Sequence, residues 1–241
     1  EVAPSQAYLD LLDRFTAQIT PAPTDLLYVT RKGMVVQGEG GHAGEDYLVE
    51  VLESLGVAVF DPRRADIPAQ LAAYAGAKHL VFAEGSALHG RQLLGRLPQR
   101  ITVLLRRPRF KMAEDAIAPR VQALTYLNVG TTPLKAYDGG GHDPAAKDRP
   151  ALALRLYDLD ALMAGFAAMG VPLASVWDRH AYRAAAKRDI EGWTRARNIA
   201  RPHIRQYRPL LRRMQLLPDA LRAKPHREQA NPVSASDNTA S

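Results

Sequence analysis

From residue 26 to about residue 127, apolar runs of strand length alternate with stretches whose apolar positions recur at helical spacing. Leu26-Leu27-Tyr28-Val29-Thr30 predicts a short buried strand. Residues 44–55 then place Tyr47, Leu48, Val51, Leu52 and Leu55 at helical spacing, with Gly56 where a C-cap is expected. Val57-Ala58-Val59-Phe60 predicts a second strand, ended by Asp61-Pro62. Pro68 opens a helix in a favoured first-turn position, running to about Gly76. His79-Leu80-Val81-Phe82 predicts a third strand, Ala87 to Leu94 a helix ended by Gly95, Ile101 to Leu105 a fourth strand and Val121 to Leu127 a fifth. Several of these strands are continuous apolar runs, as strands covered on both faces should be. The alternation predicts parallel βαβ units with right-handed crossovers: an α/β, Rossmann-like parallel sheet with helices on both faces, followed by C-terminal helices.

Residues 1–25 are expected to be an N-terminal helix or linker remnant, 26–175 the Rossmann-like domain, 176–223 a basic helical segment and 224–241 a disordered tail, polar and poor in apolar residues. Residues 130–150 are rich in Gly, Pro and Asp and read as a mobile loop. A helix is expected from Asp158 to Gly170, with Asp158 or Asp160 as N-cap and Gly170 just past its end. Further helices are expected over about 180–199 and 203–216. No internal repeat is visible.

Composition narrows the function classes. With 241 residues and 46% hydrophobic content, the chain can build one full-sized core. It has no cysteine, which excludes disulfides and thiolate metal sites. No run approaches the ~18 consecutive apolar residues of a membrane span, and no signal peptide opens the chain. The first residue is Glu1 rather than Met, so a truncated or processed chain is expected. The expected location is the cytoplasm, or the periphery of an inner membrane. The net charge of +7 lies mainly in the arginine-rich stretch 179–213. Such a stretch suits an anionic membrane surface or a protein partner. Tyr182, Trp193 and Tyr207 lie within it and could stack on bases, but a basic helical face is more often a solvated or membrane-facing surface, so nucleic acid is the lesser reading.

In open parallel sheets, ligands bind beyond the carboxyl ends of the strands. Here those ends carry Thr30-Arg31-Lys32-Gly33, Asp61-Pro62-Arg63-Arg64, Glu84-Gly85-Ser86-Ala87-Leu88-His89-Gly90 and Arg106-Arg107-Pro108-Arg109. The cationic rim suits a polyanion such as a diphosphate. Gly85 would let the backbone turn tightly or approach a ligand, and the N–H groups of Ser86, Ala87 and Leu88 would form an anion cradle at a helix N-terminus. Taken alone, Gly85-Ser86 is more often an ordinary turn with an N-cap. Arg31 could grip a phosphate bidentately, although a solvated charge closing a strand is the plainer reading of Arg31 by itself. Glu45, opening a helix, complements the helix dipole, and could also orient Arg31 or contact a ribose or sugar hydroxyl. His89 could meet a phosphate or a sugar, or lie at the core edge. His42 sits in a Gly-rich loop that lacks dinucleotide-fingerprint spacing. No His/Asp/Glu cluster has metal-ligand spacing, so no metal and no cofactor are expected.

Taken in order, Tyr28-Val29-Thr30-Arg31, Gly44-Glu45-Asp46-Tyr47, Leu55-Gly56-Val57, Asp61-Pro62, Gln70-Leu71, Tyr74-Ala75-Gly76-Ala77 and Glu84-Gly85-Ser86-Ala87-Leu88-His89-Gly90 resemble glycosyltransferase family 61 across about residues 26–127. Bacterial members are capsular or surface polysaccharide biosynthesis proteins, and eukaryotic relatives include xylosyl-, arabinosyl- and O-linked N-acetylglucosaminyltransferases. The resemblance implies the C-terminal, donor-binding lobe of a two-lobed GT-B architecture, an inverting mechanism, a nucleotide-sugar donor and a glycan acceptor. It makes Arg31 a diphosphate contact, matches Glu45 to the acidic residue opening the next helix, and makes Ser86 and its neighbours a backbone anion cradle. The sequence departs from the commoner His-Gly-Ala-Gly-Leu pattern, with Glu84 in place of His and Ser86 in place of Ala. Glu84 would repel a diphosphate unless it faces a sugar hydroxyl or a lysine. The resemblance also implies a missing N-terminal lobe, where the acceptor and often the general base belong, so the chain alone is expected to bind donor and could be inactive. The open alternative is a non-catalytic α/β binding module that docks through its basic helices.

Overall fold

The computed structural model describes residues 2–217. The tail expected to be disordered, 224–241, lies outside the described residues. In chain order the elements are α1 (Gln6–Thr16), β1 (Thr24–Val29), β2 (Gly41–Ala43), α2 (Glu45–Ser54), β3 (Ala58–Phe60), α3 (Ile67–Gly76), β4 (Ala77–Ala83), α4 (Ala87–Arg91), β5 (Arg100–Leu105), α5 (Glu114–Ile117) and β6 (Ala123–Asn128), then β7 (Leu154–Leu156), α6 (Leu159–Ala168), α7 (Leu173–Val176), α8 (Arg179–Ala196), α9 (Arg201–Arg205) and α10 (Arg208–Arg213).

Five strands form a wholly parallel sheet in the order β3-β1-β4-β5-β6. The chain leaves β1 for one edge, returns past it to β4, and continues to the other edge. The direction of winding therefore reverses between β1 and β4, where such sheets open a crevice at their carboxyl ends.

Side-chain alternation along the strands feeds two cores. Leu27, Val29, Leu80, Phe82, Ile101 and Val103 face α3 and α4, where Leu71, Tyr74 and Leu88 are buried. Tyr28, Val81, Ala83 and Leu104 face the other way, onto Leu48 and Leu52 of α2, Leu162 and Phe166 of α6, and Tyr182, Ile190 and Trp193 of α8. The α/β fold with helices on both faces thus stands, and the central strands are predominantly apolar in their carboxyl-terminal halves, where both faces are covered.

Helix α8 is basic outside and apolar inside. Tyr182, Ala185, Ala186, Ile190 and Trp193 recur at helical spacing and are buried. Trp193 is fully buried and donates its Nε1–H to the Leu152 carbonyl at 3.1 Å. Tyr182 and Trp193 are core residues and have no free face for a base. The Tyr207 hydroxyl accepts the Lys135 backbone N–H at 3.1 Å.

Several local expectations are corrected. The helix expected over 87–94 ends at Arg91 and continues as turns. The stretch 130–150, read as a mobile loop from its Gly and Pro content, is packed: Leu134 and Ala136 are fully buried, and bridges join Gly130 to Tyr157, Leu134 to Leu154 and Tyr137 to Asp148. Gly140 explains part of its composition. Its φ is +72°, and a Cβ there would lie 1.9 Å from the Asn198 carbonyl oxygen, so only glycine fits. The pair β2–β7, a second parallel sheet, was not foreseen. Helix α1 docks on the main body: Asp13 accepts the Arg96 backbone N–H at 2.7 Å and Thr16 that of Gly95 at 2.7 Å. The helix expected from Asp158 stands, with the Asp158 carboxylate accepting the Ala161 N–H. The stretch 203–216 forms two short helices, α9 and α10.

Candidate functional site: a cationic cluster at the β1/β4 switch point

At the end of β1 the chain must leave the sheet, and the first turn of α2 holds it there. The buried Glu45 carboxylate accepts, through one oxygen, the Arg31 backbone N–H at 2.6 Å, the Thr30 hydroxyl at 2.8 Å and the Tyr28 hydroxyl at 3.1 Å. Asp46 accepts the Gly33 N–H at 3.1 Å. Burial raises the Glu45 pKa, and the three donors oppose that rise. Glu45 therefore fixes the backbone that carries Arg31. It is 3% exposed and is spent on protein partners, which leaves it poorly placed for a sugar hydroxyl.

The Arg31 guanidinium folds back toward β4. Its Nη2 donates to the Gly40 carbonyl at 3.1 Å, while the buried Nε has no protein partner. Gly85 makes room for it: a Cβ at that position would lie 2.2 Å from Arg31 Nη1. The bare backbone expected at Gly85 thus receives the arginine itself. Lys32 is half-buried beside Arg31 and lines, with Thr30 and Arg63, a neighbouring cavity of about 960 Å³.

Glu84 takes a different role from the one its sequence position implied. It is 1% exposed, and its carboxylate accepts the backbone N–H groups of Arg106 at 2.8 Å and Arg107 at 2.9 Å, and Arg107 Nε at 2.5 Å. It ties the end of β4 to the end of β5 and faces neither solvent nor a lysine. Arg106 donates Nη1 to the Ala151 carbonyl at 2.6 Å and Nε to the Glu84 carbonyl at 3.3 Å. Burial brings the Arg106 pKa down to about 10. The Glu84 charge opposes that shift, and Arg31 and Arg107 add to it. Arg155, from β7, also lies in this group's field. Its Nη1 donates to the Thr131 carbonyl at 2.5 Å, and burial lowers its pKa while Glu84 raises it.

The cradle expected at Ser86, Ala87 and Leu88 is only partly present. Ser86 is exposed and helical in φ and ψ, so its hydroxyl does not cap the helix. The Leu88 N–H is taken by the Gly85 carbonyl at 3.1 Å, and the Leu88 side chain is buried in the core. The N–H groups of Ser86 and Ala87 are what remains of the cradle. His89 is exposed and pairs with Gln92 at 3.0 Å, away from the guanidinium group.

His42, set aside in the sequence as a loop residue, is a buried member of this cluster. It lies in β2 and stacks on Tyr157, with ring centroids 4.5 Å apart. Burial, followed by the charges of Arg106 and Arg155, pulls its pKa to about 3. No spacing signal marks it, because β2 exists only through pairing with β7, more than a hundred residues later.

This titration has a measurable consequence. The unfolded chain protonates His42 below its ordinary pKa of 6.5 and the folded chain does not, so His42 removes stability as pH falls from 6.5 toward 3. Between pH 7 and pH 5 the loss is about 2 kcal/mol. Asp189 acts in the opposite sense. It accepts the Gly44 N–H at 2.6 Å, and burial raises its pKa to about 6, so it adds stability as pH falls below 6. The two offset each other in the wild type. His42→Phe, which keeps the stacked ring, is expected to become more stable relative to wild type at pH 5 than at pH 7, read as Tm. An unchanged difference would mean that His42 does not carry this titration.

Among the described residues, no group of three or more His, Asp or Glu is placed to hold a metal ion, and no helix is long and apolar enough to cross a membrane. The site brings together Arg31, Glu45, Glu84 and Gly85 with Arg106 and Arg107 of the expected cationic rim, and adds Arg155 and His42. Compared with protein-family models, curated proteins and solved structures, the chain finds no match.

Proposed function

We propose that the β1/β4 crevice binds the diphosphate of a nucleotide sugar, and that the chain is the donor-binding half of an inverting glycosyltransferase of the family 61 type, acting on a polysaccharide or other glycan. The observation that carries this reading is a charge imbalance. Four guanidiniums, those of Arg31, Arg106, Arg107 and Arg155, gather where three carboxylates, Glu84, Glu45 and Glu39, act on them, with Arg31 and Arg106 only 9% and 8% exposed. Buried cations without a matching anion are costly. A diphosphate supplies the missing charge. In glycosyl transfer the same cations would stabilise the departing diphosphate as its charge develops. Glu45 and Glu84 are spent on protein donors, so the general base for the acceptor hydroxyl is assigned to neither.

Arg31→Ala is expected to weaken binding of the preferred nucleoside diphosphate by about ten- to a hundredfold in calorimetry, with Tm little changed. Gly85→Ala should do the same by displacing the guanidinium, and the double variant should be little worse than either single one. Unchanged affinity in both single variants would remove Arg31 from the site.

A second reading rests on a separate groove. A groove of about 720 Å³ between α8 and α10 is lined by His180, Arg183, Lys187 and Arg212, with no carboxylate among its lining residues. Docking on an anionic membrane surface or acidic partner would use this face, and at an inner membrane it would hold the enzyme near a lipid-borne acceptor. Binding to vesicles with anionic lipid that falls steeply with salt would favour it.

A further inference from the structure

We infer that the base of the bound nucleotide stacks on Phe110, in an apolar cavity beyond Arg107; this rests on the diphosphate reading above. The cavity, about 450 Å³, lies against Arg107, Phe110, Pro133, Pro150, Ala153 and Arg155. Its size is that of a small-molecule site. Two of its walls, Arg107 and Arg155, belong to the cationic cluster, so the two sites share these residues.

Arg107 is the joint between the two sites. Its Nε is bound to Glu84, and its guanidinium lies 4.2 Å from the centre of the Phe110 ring. Phe110 is 47% exposed, and it is held in place rather than trailing. Its N–H donates to the Arg107 carbonyl at 2.9 Å, and two residues later the Met112 carbonyl accepts the Tyr126 hydroxyl at 2.6 Å. A flat π-system beside rigid proline walls suits a planar, uncharged ring. Lys135 and Asp148, paired at 3.2 Å on the rim, offer a donor and an acceptor side by side, as the edge of a base requires. Base–aromatic stacking tolerates any base, so the aromatic ring supplies affinity and the rim pair supplies choice.

The test is calorimetry of the whole chain with inorganic pyrophosphate and with UDP, GDP, CDP and ADP, in wild type, Phe110→Ala and Phe110→Leu. At least one nucleoside diphosphate should bind wild type about tenfold more tightly than pyrophosphate. Both variants should lose that advantage while keeping pyrophosphate affinity and Tm. Phe110→Leu guards against a general effect of lost bulk, since it keeps apolar volume and removes only the ring. Nucleotide affinity that survives both substitutions, nucleotides no tighter than pyrophosphate, or an equal loss for pyrophosphate and nucleotide would each overturn the base site. The first two of these leave the diphosphate reading standing. Wild type that binds neither pyrophosphate nor any nucleotide would overturn both.

Discussion

Trp193→Ala is expected to destabilise the protein by about 3–5 kcal/mol, a large share of what a domain of this kind possesses. The indole is fully buried, its Nε1–H reaches the Leu152 carbonyl, and it shares a core with α2, α6 and the underside of the sheet. Truncation therefore leaves a cavity and an unmet carbonyl at once. A basic segment merely appended to the α/β unit would lose well under 1 kcal/mol on the same change. Urea unfolding decides between the two, and a loss under 1 kcal/mol would show that α8 is not part of the cooperative core. Because α8 closes over β2, the same loss should loosen the seat of His42 and Arg155.

Glu84→Ala is expected to cost about 3–5 kcal/mol as well, for a different reason. Two backbone N–H groups, those of Arg106 and Arg107, lose their acceptor, and the guanidiniums of Arg106, Arg107 and Arg155 lose the negative charge beside them. Glu84→Gln keeps one acceptor oxygen and should cost less. Added pyrophosphate should recover part of the stability lost in Glu84→Ala, since an anion in the crevice replaces the missing charge. Equal, small losses in both variants would mean that Glu84 is not the clamp between β4 and β5. Rescue of Tm by pyrophosphate that is no larger than in wild type would argue that the anion does not sit beside this carboxylate.

Much of the fold was legible because its central strands are covered on both sides. Leu80-Val81-Phe82 and Ile101 to Leu105 are apolar at every position but Thr102, and such runs announce themselves. The inner face of α8 was also written in the chain, as Tyr182, Ala185, Ala186, Ile190 and Trp193 at helical spacing, although eleven residues from Lys and Arg across 179–213 drew attention to its outer face. The strands β2 and β7 were not legible. Gly41-His42-Ala43 and Leu154-Arg155-Leu156 are three residues each, and neither has strand character until the other pairs with it. The same holds for 130–150, where Gly140 and Gly141 look like loop punctuation but sit where backbone and side chains approach too closely for a Cβ.

The sequence by itself determined the order of strands and helices, the two-sided burial of the sheet, and the gathering of cations at its carboxyl edge, because periodicity and strand ends are local properties of the chain. The tertiary structure alone decided which cations meet and which carboxylates are already spent. Arg31, Arg106 and Arg155 are far apart in the chain and converge only when β4 is set between β1 and β5 and β7 is folded across the edge. Glu45 and Glu84 look like ligand contacts where they stand in the sequence. Each instead satisfies donors brought to it from another strand end, since a buried carboxylate must find partners wherever the fold delivers them.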